Sequence, residues 1–121
     1  MRERLPDRRG CCTQKLRVGQ QTVYLTVGEY PDGRLGEIFI DVSKRGTAAR
    51  GLIETTATLF SVALQYGATL DELLPLICAL DFPPEGNVEG AEDLGVTTAI
   101  SILDAVGQVL RAAYCKPEAK A

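Results

Sequence analysis

The chain has 121 residues, of which 45% are hydrophobic and 24% charged, with no Trp and no His. That size suits one domain with a self-sufficient core, and the absence of His excludes imidazole acid–base catalysis and His-containing zinc sets. No apolar run approaches the ~20 residues that span a bilayer, and the basic N-terminus leads into no apolar block. Neither a membrane span nor a signal peptide is expected, and the cytoplasm is the expected compartment.

Residues 1–12 read as an N-terminal arm: Arg2, Arg4, Arg8 and Arg9 are interleaved with Glu3, Pro6 and Asp7 without period 2 or 3.6. From Thr13 the period becomes two. Leu16 and Val18 alternate with Lys15 and Arg17, and after the turn Gly19-Gln20-Gln21, Val23, Leu25 and Val27 alternate with Thr22, Tyr24 and Thr26. Both are strands with one wet face. Tyr30-Pro31-Asp32-Gly33 is a turn, Pro pre-setting φ and Gly supplying φ > 0. A third strand follows, with Ile38, Ile40 and Val42 facing one way and Glu37, Phe39 and Asp41 the other. Short turns make these an antiparallel meander whose apolar face needs a cover.

The expected cover is a helix from about Thr47 to Tyr66, with Leu52, Ile53, Leu59, Phe60, Val62, Ala63 and Tyr66 on a broad apolar face and Gly67 as its C-cap. Thr69-Leu70-Asp71-Glu72 has capping-box spacing and opens a second helix, with Pro75 inside it to kink or split it. Residues 82–95 read as an acidic loop. A last helix spans about Thr97 to Tyr114, where Ile100, Leu103, Val106, Leu110 and Tyr114 recur at helical steps while Asp104 and Arg111 face elsewhere. The predicted fold is α+β: a three-stranded antiparallel meander, then three helices packing on one face of the sheet. Residues 13–115 form the domain, and 116–121 a polar tail.

The net charge of −3 conceals an asymmetry. Residues 1–50 carry ten Lys/Arg against six Asp/Glu, a balance of +4, and residues 51–121 three against ten, a balance of −7. A basic N-terminal half marks an anion-binding face, charged faces that attract copies of the chain, or a solvated distribution without a partner. Lys44, Arg45, Gly46 and Thr47 precede a helix start, where free N–H groups and the dipole favour an anion, with Arg50 one turn on. They lack the full glycine pattern of a phosphate loop, and a plain cap with solvated cations is the simpler reading. Lys15 and Arg17, with Tyr24 and Phe39, make either a stacking platform for single-stranded nucleic acid or an oligomer interface. The four cysteines, Cys11, Cys12, Cys78 and Cys115, show no C-x-x-C spacing and read as free thiols. No catalytic constellation and no metal site is expected.

Several stretches resemble one family when taken together. Thr13-Gln14-Lys15, Tyr24-Leu25-Thr26-Val27-Gly28, Gly36-Glu37-Ile38-Phe39-Ile40, Ser61-Val62-Ala63-Leu64-Gln65-Tyr66-Gly67 and Ala99-Ile100-Ser101-Ile102-Leu103-Asp104-Ala105 resemble, in the same order, the C-terminal region of adenosylcobalamin-dependent (class II) ribonucleotide reductases. That region is the domain named for a Thr-Ser-Cys-Pro-Asp motif, for which the family suggests metal binding. The matching segment here, Thr97 to Asp104, lacks the Cys and the Pro. The resemblance therefore transfers Asp104 alone and no metal role. It also implies that the reaction, its adenosylcobalamin and its cysteines belong to a barrel of several hundred residues that this chain cannot contain. The expectation is a noncatalytic binding or assembly module that binds no cofactor alone. Its expected partners are copies of itself or a reductase catalytic subunit, with nucleic acid the lesser alternative and no membrane.

Overall fold

A computed structural model describes residues 1–42 and 48–115. Strands β1 (Gly10–Val18), β2 (Gln21–Glu29) and β3 (Leu35–Val42) form the antiparallel meander, and helices α1 (Ala48–Gln65), α2 (Leu70–Cys78) and α3 (Ile102–Tyr114) follow. Two further strands, β4 (Gly86–Glu89) and β5 (Thr98–Ala99), extend the sheet to the order β3-β2-β1-β4-β5. The α+β class and the meander are as the alternation predicts.

Register explains the core. Leu16 lies opposite Val23, Val23 opposite Val42, Leu25 opposite Ile40 and Val27 opposite Ile38, so the alternating apolar residues of three strands share one face. All of them are buried, each contributing about 1.5–3 kcal/mol by leaving water. The Tyr30–Gly33 turn forms as read: Gly33 N–H reaches the Tyr30 carbonyl at 2.8 Å, and Gly33 has φ +92°.

The helix ends are set by their capping residues. At the C-terminus of α1, Ala68 N–H bonds the Ala63 carbonyl and Gly67 N–H the Leu64 carbonyl, with Gly67 at φ +108°. This pairing is the Schellman motif, which glycine accommodates without strain. At the start of α2, Glu72 N–H donates to Thr69 Oγ1 and Thr69 N–H to Glu72 Oε1, completing the capping box. Pro75 sits inside α2, which continues through it as one helix.

Four expectations are corrected. Residues 82–95 are not all loop: Val88 is buried opposite Val18, and Val88 N–H bonds the Thr97 carbonyl at 2.8 Å. The last helix starts at Ile102 rather than Thr97, because Thr98 and Ala99 pair with Asn87 and Gly86 and Ser101 caps the helix by accepting Asp104 N–H at 2.9 Å. Asp104 is buried rather than exposed, its Oδ2 accepting the Ile100 N–H and the Gln108 amide, each at 3.0 Å. Finally, α1 does not cover the apolar face alone: it runs along β3, while Val109 and Leu110 of α3 belong to the same core and line a cleft with Leu25 and Val27 of β2.

That position of α1 closes the edge of the sheet. Ser61 Oγ accepts the Ile38 N–H at 2.9 Å and lies 3.2 Å from the Ile38 carbonyl, and Gln65 Nε2 donates to the Gly36 carbonyl at 3.0 Å. Side chains of the helix thus take up the hydrogen bonds that a further strand would otherwise seek. The segment before β1 packs onto the same corner: Glu3 N–H bonds the Gln65 carbonyl, Arg2 Nε bonds Gln65 Oε1, and Leu5 packs against Gly36. Among the described residues no helix is long and apolar enough to cross a membrane.

Candidate interaction surfaces

Two exposed surfaces of the described residues carry the side chains of interest. The first is the face of the sheet opposite the core. Pairing places Arg17 beside Thr22, Lys15 beside Tyr24 and Asp41, and Thr13 beside Thr26 and Phe39 in successive rows. Tyr24 and Phe39 are 41% and 54% exposed. The Thr13 and Thr26 hydroxyls bond across the strands at 2.9 Å. At one end of the face the Glu37 side chain lies over Gly28, where a Cβ would stand 2.3 Å from Oε2, and pairs with Arg9 at 2.7 Å. Gly28 is therefore required by the close approach of that ion pair.

Lys15 and Arg17 are exposed and form no ion pair among the described residues. Arg50, on the first turns of α1, reaches Asp41 at 3.5 Å and Glu54 at 2.9 Å. The fold thus brings Lys15, Arg17 and Arg50 to one side of the molecule. It also sets acids among them, Asp41 in the Lys15 row and Glu89 opposite Arg17. The result is alternating charge rather than the single-sign field that concentrates phosphates. Lys44, Arg45, Gly46 and Thr47 lie outside the described residues.

The second surface is the outer side of α1. Ile53, Ala57 and Phe60 point into the core, whereas Leu52, Leu59 and Tyr66 are 69%, 64% and 62% exposed. The broad inward face expected from the sequence therefore divides in two, since neighbours such as Leu52/Ile53 and Leu59/Phe60 differ by about 100° around a helix. Leu52, Leu59 and Tyr66 recur every seventh residue in one line about 21 Å long. No charged residue of α1 follows Glu54. The Thr56 and Thr58 hydroxyls bond the carbonyls of Leu52 and Glu54, at 2.8 and 3.1 Å, which turns their polar atoms back on the helix. The usable signal in the sequence was this absence of charge, which a solvent-facing helix side seldom shows.

All four cysteines are free. Burial pushes the Cys78 and Cys115 thiols up, with Asp104 and Asp71 respectively adding to the effect, so neither resembles an activated thiolate. Gly107 permits the close contact of α2 and α3, since a Cβ there would meet Cys78 Sγ at 2.4 Å. A cleft of about 750 Å³ lies between the Tyr30 turn and the ends of α1, α2 and α3. Its one arginine, Arg34, is stacked on Tyr30 and paired with Asp32 and Glu3. Among the described residues no group of three His, Cys, Asp or Glu could hold a metal ion.

With this fold and these surfaces the chain belongs to the TSCPD domain family, which matches residues 1–114. It is similar to the vitamin B12-dependent ribonucleotide reductase of Bradyrhizobium diazoefficiens, at 48% identity over 113 residues, and to that of Agrobacterium fabrum, at 44% over 113 residues. The same-named protein of Rhodopirellula baltica is 36% identical over 109 residues. These alignments cover 90–93% of this chain but 9–10% of the relatives, so the chain spans about a tenth of their length. No solved structure matches it. The chain has no His that could supply an imidazole donor, and the Arg34–Asp32 ion pair lies on one wall of the 750 Å³ cleft.

Proposed function

We propose that this chain is a noncatalytic assembly module of ribonucleotide reductase type, acting in deoxyribonucleotide supply by docking on a reductase polypeptide through the outer face of α1. The observation that carries this reading is the uncharged line of Leu52, Leu59 and Tyr66, each more than 60% exposed. In relatives some ten times longer, such a domain has the rest of the chain beside it. An apolar strip with no charge is the kind of surface that another protein covers.

The test uses the Bradyrhizobium reductase with its matching segment deleted. The intact 121-residue chain should co-purify with it, and Leu52→Glu with Leu59→Glu should abolish capture while the melting temperature is kept. Absence of capture, or equal capture of the double variant, rules the reading out. A second reading, anion or nucleic-acid binding by Lys15, Arg17, Arg50 and the Lys44–Thr47 segment, is supported by Lys15 and Arg17, which share the sheet face of Tyr24 and form no ion pair among the described residues. It predicts binding of an oligonucleotide that weakens steeply between low and moderate salt. Salt-independent anisotropy would remove it.

A further inference from the structure

We propose that the bare face of the sheet pairs with the same face of a second copy of this chain, about a two-fold axis running along β2. The inference rests on reading the chain as an assembly module and names one partner for it.

The argument lies in the order of groups across the strands. One row reads Lys15 on β1, Tyr24 on β2 and Asp41 on β3, a cation, an aromatic and an anion in line. A two-fold axis along β2, the middle strand of the meander, lays β1 of each copy over β3 of the other. Lys15 of each copy then faces Asp41 of the other, and the contact is made twice. Tyr24 meets its own counterpart on the axis. In the next row, Thr13, Thr26 and Phe39, the ring of each Phe39 falls over the partner's Thr13. A two-fold axis running across the strands would instead set Lys15 over Lys15 and Asp41 over Asp41, which like-charge repulsion opposes. Facing sheets stack about 10 Å apart with strands inclined by about 30°, a gap that a lysine and an aspartate pointing at each other span.

The groups are placed for this. Lys15 has no ion-pair partner among the described residues, and the Asp41 side chain is 66% exposed beside Arg50. Tyr24 and Phe39 supply exposed aromatic surface at the centre, where interfaces place their anchors. Three strands of about eight residues give a patch roughly 14 Å by 27 Å. At roughly 380 Å² a side this is about half of a standard interface, so the pair is a weak one that should form only toward about 100 μM and above.

Sedimentation velocity of the full chain across that range tests the inference. The wild type should pass from monomer to dimer with concentration. Lys15→Asp and Asp41→Lys should each weaken the dimer by at least about tenfold, because each makes both contacts repulsive. An equimolar mixture of the two variants should dimerise about as the wild type does, since both contacts of the mixed pair again join opposite charges. Phe39→Ser should weaken the dimer without altering charge, and melting temperatures report that every variant is folded. A monomeric wild type, single variants that dimerise normally, or a mixture that stays monomeric would each overturn the pairing. A monomeric wild type that still captures the reductase removes the pairing and leaves the module reading. A charge-dependent dimer that captures no reductase does the reverse.

Discussion

Helices α1 and α3 are built from similar apolar residues, yet they meet solvent in opposite ways. Eight of the nine positions of α3 from Ile102 to Leu110, all but Gln108, are buried, and the side chains of Asp104 and Gln108 are held by the Ile100 N–H and the Thr98 carbonyl. Helix α1 buries Ile53, Ala57, Phe60, Ser61 and Gln65 and leaves Leu52, Leu59 and Tyr66 in water. The first is a structural core element whose small residues admit its neighbours. The second faces two ways, with its inner side fixing β3 and its outer side presenting apolar side chains to solvent. Hydrophobicity alone does not separate the two roles; the disposition of the polar groups does.

The sharpest way to probe the contrast is to overfill α3. Gly107→Val forces side-chain atoms against Cys78 and Ile77, and urea denaturation should show a loss of about 3 kcal/mol. Asp104→Ala leaves the Ile100 N–H without its acceptor and the Gln108 amide with the Thr98 carbonyl alone, at a cost of about 2 kcal/mol by the same measurement. On the inner side of α1, Ser61→Ala strands the buried Ile38 N–H and should cost about 1–2 kcal/mol. Leu59→Ser, on the outer side, should alter stability by no more than about 0.5 kcal/mol. Equal losses for Ser61→Ala and Leu59→Ser would dissolve the distinction between the two sides.

Titration extends the comparison to the far end of α3. Burial, and then the hydrogen bond to Glu29, raise the Tyr114 hydroxyl well above its ordinary 10.0, and burial raises the Cys78 and Cys115 thiols above 9.0. Each group therefore holds its proton more tightly folded than unfolded. Their contributions are complete below pH 9 and are lost as the pH climbs through the folded values. Melting temperature should be level to about pH 9 and then fall. Tyr114→Phe should make the decline above pH 10 shallower; an unchanged slope would deny Tyr114 that part.

The parts that the sequence disclosed are those with strict local codes. Period-two alternation exposed β1 to β3, and it placed Lys15, Arg17, Tyr24 and Phe39 on one face before any register was known. Thr69, Glu72 and Gly67 announced their caps because each does its work within a few residues. Strands β4 and β5 have four and two residues, too few for a period, and a single buried valine marks the longer one. The start of α3 was obscured because Thr97 to Ile102 continues the apolar pattern, although Ser101 three residues before Asp104 carried a cap signal. The acids among the exposed cations, Asp41 and Glu89, depend on which strands become neighbours, and residue spacing along one chain does not encode that. The resemblance to the reductases was legible in short blocks because those blocks coincide with the meander and with the residues of α1 that hold β3.

The closed edge at β3 bears on the kind of complex this protein can build. Ser61 and Gln65 occupy the outward hydrogen bonds of Ile38 and Gly36, and the opposite end of the sheet finishes in a strand of two residues. Neither border offers a template on which strand after strand could accumulate. The association proposed above uses the sheet face and the outside of α1 instead, where occupation of a surface removes it from further use. Under that proposal the complexes are of fixed size rather than open-ended fibres.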